Sequence, residues 1–191
     1  MNQRFARTGP SAALRLFAFC FAFTLVHAVL RAGDVPQLTT KEAGQFTLAA
    51  QIIQQSTGFT IAEGLPHQLW EAESLKKEKA SAQTQTIHGF PFYAQLISPG
   101  ALDAQKLREL ASDLKSFRPY SGPKRCGGFH PDYALTWKAG TATTHLLVCF
   151  GCKEIRFHAP GVEMTLDVAD EAFASLKQTL EKYRKQRPVR G

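Results

Sequence analysis

Between residues 132 and 168 the chain runs through four short stretches of alternating character, DYALTWKAG, TTHLLVCF, KEIRFHA and GVEMTLDV. A turn signal separates each from the next: Ala139 and Gly140, then Phe150 and Gly151, then Pro160 and Gly161. Alternation with period two over so few residues is the pattern of a β-strand, and connections this short join antiparallel neighbours. Nothing else in the chain constrains the fold as much. In DYALTW, Tyr133, Leu135 and Trp137 fall on one face, with Asp132, Ala134 and Thr136 on the other. That predicts a half-buried sheet.

Helical patterns surround this meander. Thr39 and Glu42 have the spacing of a capping box, and Phe46, Ala49, Ile52 and Ile53 follow at helical intervals, so residues 40–55 read as an amphipathic helix. FTIAEGLP then reads as a short strand that leaves through Gly64 and Pro66. Residues 67–83 read as a second helix with a charged face, Leu69 and Leu75 being its main apolar contacts with Trp70 beside them. The aromatic run QTIHGFPFYAQLI is β-like, and Pro91 confines it to an edge or a bend. Leu107, Leu110, Ala111 and Leu114 mark a third helix. A fourth carries Ala169, Phe173, Leu176, Leu180 and Tyr183 on one face, with Asp167 as its expected cap. Helices, a meander and a closing helix predict one α+β domain over residues 33–188: an antiparallel meander sheet packed against amphipathic helices on one face. Residues 189–191 are left as a basic tail.

The first 32 residues read as a targeting segment. Arg4, Arg7 and Arg15 form a basic start, residues 16–26 are apolar, and small residues follow that suit cleavage after Ala28 or Ala32. The apolar run from 16 to 30 is short for a bilayer span, which takes about 20 residues. The expectation is an exported protein, periplasmic or secreted, with no stable membrane span after cleavage. Cys20 does not mark a lipoprotein, because Phe19 stands where a small residue is needed. Cleavage after Ala32 removes four arginines and no acid, so 19 basic residues face 16 acidic ones and the net charge falls from +7 to +3. Without a basic stripe interleaved with aromatics, a nucleic-acid partner is not expected. The basic cluster KYRKQRPVR reads as a solvated helix end and tail.

Three of the four cysteines remain after that cleavage: Cys126, Cys149 and Cys152. An odd number in an oxidising compartment implies a disulfide plus a spare thiol, an intermolecular bridge or a metal site. A thioredoxin-type centre needs the first cysteine at a helix N-terminus, whereas strands flank Cys149 and Cys152 on both sides. Covalent haem attachment needs C-x-x-C-H, and Lys153 follows Cys152 here, so no haem is expected. A tight turn with a cysteine at each shoulder would aim both sulfurs at one point, as in zinc knuckles. Cys126 and His130, in a glycine-rich loop, would complete a Cys3His set for zinc: Cys126, His130, Cys149 and Cys152. C-x3-H is not a standard knuckle arm, and structural zinc is rarer outside the cytosol. The alternative is a disulfide from Cys126 to Cys149 or Cys152, closing about 25 residues and contributing about 3 kcal/mol in the chain-entropy model. Both readings stay open; the metal has the merit of using all three sulfurs.

The remaining polar residues carry no recognised catalytic motif. His130 and Asp132 flank Pro131, but no G-x-S-x-G elbow, H-E-x-x-H helix or phosphate loop accompanies them. Ser121 reads as a turn residue, and His145 and His158 as surface residues beside the strands. The segments EGLPHQLWE (63–71), HGFPFY (88–93), PYSGPKRCGGFHPDYALTW (119–137), LVCFGCKEIRF (147–157) and YRKQRP (183–188) give the chain its resemblance to a family of small exported bacterial proteins without an assigned function. That resemblance implies export and a single domain, and no activity. The expected role is a binding or structural module with a Cys/His centre. The competing readings are a thiol-disulfide oxidoreductase using the CFGC pair, a hydrolase using His130 and Asp132, and an envelope protein whose basic tail meets acidic surfaces.

Overall fold

The meander forms as the alternation predicts. In the computed structural model, which describes residues 37–187, strands β5 (Tyr133–Ala139), β6 (Ala142–Cys149), β7 (Glu154–Ala159) and β8 (Val162–Val168) pair antiparallel in sequence order. Strand β1 (Gly58–Glu63) pairs with β5, and the short β4 (Phe117–Pro119) pairs with β8, closing a six-stranded sheet of order β1-β5-β6-β7-β8-β4. The α+β class is therefore as the sequence implies. The segment read as a targeting signal (1–32), residues 33–36, Pro188 and the tail 189–191 lie outside the described residues. Those described belong to one compact unit, and none of their helices is long and apolar enough to cross a membrane.

One face of the sheet is covered by helices α1 (Thr40–Gln55), α3 (Ala101–Ser112) and α4 (Asp170–Leu180). Helix α1 starts where the capping box puts it. Thr39 Oγ1 accepts from Glu42 N–H and the Glu42 carboxylate accepts from Thr39 N–H, which satisfies two otherwise orphan donors. Its inward residues Phe46, Ala49 and Ile53 join Leu107, Ala111, Leu176 and Leu180 against Tyr133, Leu135, Trp137, Leu146, Val148 and Phe157 of the sheet. Phe46, Phe117 and Phe157 pack ring on ring, with centroids 5.5–5.7 Å apart. Burying these side chains drives the assembly, at about 2 kcal/mol for each large one.

The opposite face departs from the half-buried expectation. Ala134, Thr136 and Leu147 are buried there too. Their cover is a hairpin absent from the sequence reading, β2 (Thr84–Ile87) paired with β3 (Phe90–Tyr93) in a sheet of its own. Phe92 packs on Ala62, Ala134 and Leu147, with Ile87, Phe90 and Phe129 around them. The turn is His88-Gly89, both residues at positive φ (49° and 83°), the twist that a two-residue hairpin loop requires. Pro91 sits opposite Thr86 in this hairpin, an edge position as its missing N–H demands.

Three further expectations need correction. The second helix, α2, spans only Ala72–Ser81 and has no buried residue. Residues 68–70 are turn, because His67 Nδ1 accepts from the N–H groups of Leu69 and Trp70 and ends any earlier helical start. Leu69 and Trp70 consequently point outward, 60% and 65% exposed. Leu114 lies beyond α3 in a 3-10 turn and is largely exposed. Asp167 does not cap α4, whose N-cap is Ala169 without a side-chain bond. It lies on β8 and accepts from Ser121 and Lys124 instead.

Candidate functional site

The CFGC turn is wider than the sequence implies. Cys149 pairs with Glu154 across β6 and β7, leaving a four-residue turn, 150–153, between them. The left-handed residue is Lys153 (φ 51°) rather than Gly151. Cys152 therefore sits inside the turn and not at a shoulder opposite Cys149, so the two sulfurs do not share one aim. Cys152 bonds instead to Cys126 (Cα–Cα 5.5 Å), stapling the glycine-rich loop to the sheet across 26 residues. Cys149 remains a buried free thiol. Burial pushes its pKa up, although the backbone N–H groups of His130 and Cys152 favour the thiolate.

The bridge removes two of the four ligands that zinc would use, because Cys126 and Cys152 are bonded to each other. His130 Nε2–H donates to the Leu65 carbonyl at 2.8 Å, which leaves Nδ1 as its bare ring nitrogen. Among the described residues no group of three or more His, Cys, Asp or Glu is placed to hold a metal ion. Cys126, His130, Cys149 and Cys152 are neighbours nonetheless, and Cys126, His130 and Cys149 line one cleft of about 290 Å3 together with His67, Trp70, Arg125, Asp132, Gly151 and Arg187.

Four segments far apart in sequence build this cleft. Glu63, buried at the end of β1, receives the C-terminal segment on its carboxylate: Lys185 N–H at 3.0 Å and Gln186 N–H at 2.8 Å on Oε2, and Arg187 N–H at 3.0 Å on Oε1. Three successive amides around one carboxylate form a small anion nest. Arg187 is thereby delivered into the cleft, where its guanidinium donates to Glu71 (2.6 Å) and Asp132 (2.5 Å). Burial opposes its charge, but the two carboxylates outweigh that and hold its pKa above the ordinary value. The other Asp132 oxygen accepts from Phe150 N–H at 2.7 Å, locking the CFGC turn to the same network. Glu71 also accepts from His67 N–H.

Close backbone approach completes the arrangement. Gly127, at φ 82°, lies against the His67 and Trp70 rings; a Cβ there would come within 2.9 Å of Trp70 Nε1. Trp70 Nε1–H donates to the Cys126 carbonyl, so the exposed indole is held to the disulfide loop. The His67 and His130 rings stand 4.6 Å apart. Burial is the chief cause lowering the His130 pKa, with Asp132 opposing it. No hydrogen bond joins Asp132 to His130: the carboxylate oxygens are taken by Arg187 and Phe150. Sequence reasoning singled out His130, Asp132 and the cysteines. It missed Glu63, Glu71 and Arg187, which meet only in the folded chain. Comparison with protein-family models, with curated proteins and with solved structures returned no match.

Proposed function

We propose that this protein is an exported, disulfide-stapled binding module whose recognition site is the cleft beside Cys126 and Trp70. One observation carries the reading: the groups that catalysis would need are already committed to structure. Asp132 is engaged by Arg187 and Phe150 and does not orient His130, whose Nε2–H is held by the Leu65 carbonyl, and the Cys149 thiol is kept protonated by burial. That disfavours both the hydrolase and the thiol-disulfide readings, since a nucleophile must be activated by an adjacent base or a depressed pKa. What faces solvent is an indole, pinned by its own N–H, next to the exposed Arg125. A cleft this small suits a compact ligand or a single side chain, below the usual range for drug-sized molecules of about 300–1,000 Å3. The chemistry that fits is a ring or apolar face for Trp70 joined to a carboxylate for Arg125. The resemblance to small exported bacterial proteins is consistent with this role.

Fluorescence tests it, because Trp137 is fully buried and Trp70 is the exposed reporter. Titration with benzoate and a panel of aromatic and aliphatic carboxylates is expected to give a saturable change in emission. Trp70→Phe should abolish that signal, and Arg125→Ala should weaken binding about tenfold, equivalent to about 1.4 kcal/mol. No saturable change with any carboxylate would remove the binding reading. Catalytic turnover in an insulin-reduction assay would replace it with the oxidoreductase.

A further inference from the structure

His145 and His158, which read from the sequence as surface residues, meet His88 on the hairpin-covered face of the sheet. His145 on β6 and His158 on β7 are cross-strand partners. His88, at the tip of the β2–β3 hairpin, lies over both: its Nε2 is 2.8 Å from His145 Nδ1, and its ring stacks on His158 with centroids 3.8 Å apart and planes within 9°. We propose that His88, His145 and His158 form an acid-released clasp, which holds the tip of the hairpin on the sheet at neutral pH and frees it when the pH falls.

The geometry does not hold with His88 and His145 both charged. A hydrogen bond between two ring nitrogens needs one N–H and one bare lone pair, so it fails once both rings carry two protons each. Two imidazolium rings stacked face to face would repel. The position of His88 gives a second indication. It is a non-glycine residue at φ 49°, first in a two-residue turn where asparagine or glycine is the usual occupant, so this ring sits at a site where the turn alone would not favour it.

Other charges near the trio do not rescue the protonated state. Lys138 on β5 disfavours a charge on His145, and Arg156 on β7 one on His158. Glu163, opposite His158 on β8, favours charge on His88 and His158 without reversing either shift. The hairpin itself has no charged residue from 84 to 93. Burial is the leading cause that lowers all three pKa values, His145 to about 4 from 6.5. A base whose pKa is lowered in the docked state binds protons more tightly when undocked. The clasp is therefore at full strength above pH 6.5 and weakens as the pH falls from there toward 4. The aromatic packing of Phe92 does not titrate, so the release is confined to the tip.

An NMR titration of the full chain from pH 7.5 to 4.5 tests this, with His88→Asn alongside. Asparagine suits the left-handed turn and removes the ring. In the wild type the ring-to-ring contacts of His88 with His145 and His158 should be present at pH 7.5 and lost at pH 4.5. The undocked population should rise at least about tenfold over that range. In His88→Asn the amide shifts of residues 86–90 should move less than about a third as far. A His88 ring that keeps both contacts at pH 4.5, or a variant whose tip shifts as far as the wild type's, overturns the proposal. Should His88→Asn fail to fold, His158→Gln is read by the same amides with the same expectation. The result does not depend on what the cleft binds.

Discussion

Replacing Cys126 by serine is expected to lower stability by about 3 kcal/mol, because the Cys126–Cys152 bridge closes a loop of 26 residues and its loss frees that loop in the unfolded chain. For a domain of this size that is a fall in Tm of about 6–12 °C. Wild-type protein held in dithiothreitol should melt with the variant, since both lack the same constraint. Cys149→Ala should cost only about 1 kcal/mol, the loss of a small buried side chain, and should leave the response to reductant intact. Thermal unfolding with and without reductant reads all three. If Cys126→Ser melts within about 2 °C of the wild type, the bridge is not a staple.

Gly64→Ala is expected to have an effect as large by a different route. A Cβ on Gly64 would lie 2.1 Å from the Pro131 carbonyl oxygen and 3.1 Å from that of Asp132. Both are backbone atoms, so no side-chain rotation relieves the overlap. Gly64 N–H also donates to Asp132 O, and Gly64 bridges to Phe92 of the hairpin. The added methyl must push β1 away from residues 130–132, which displaces His130 and Asp132 and slackens the hold on Arg187. Overpacking of this kind costs about 3 kcal/mol. Urea unfolding should show a lowered midpoint at unchanged slope, and the Trp70 emission should shift as the cleft loosens. A midpoint unchanged within error would mean that the close approach at Gly64 is not required.

Legibility in the sequence followed the range of the interaction. The capping box at Thr39, the four meander strands and the inward face of α4 rest on neighbours within a few residues, and their patterns are visible as written. The β2–β3 hairpin was within reach of the same reasoning. Its two flanking runs are β-like, and His-Gly stands where Asn-Gly would have announced the turn. Strand β4 has three residues, one of them a proline, and owes its existence to Val168, Asp167 and Leu166 across from it. The CFGC turn is four residues long, with its left-handed residue at Lys153, and residue type gave no sign of that. Least legible was the site's frame. Glu63 binds backbone amides about 120 residues away, and amides leave no trace in a sequence. Cys126, His130 and Cys149 were placed in one neighbourhood from the sequence, while the bridge between Cys126 and Cys152 was one of the alternatives left open there.

The state of Cys126, Cys149 and Cys152 separates a stapled module from a metal centre. Alkylation of the purified protein without reductant, followed by peptide mapping and metal analysis, measures it directly. The prediction is one bridge joining Cys126 to Cys152, a Cys149 that is alkylated only after denaturation, and no stoichiometric metal. Three free thiols with one zinc per chain would contradict it and restore the Cys126, His130, Cys149 and Cys152 ligand set.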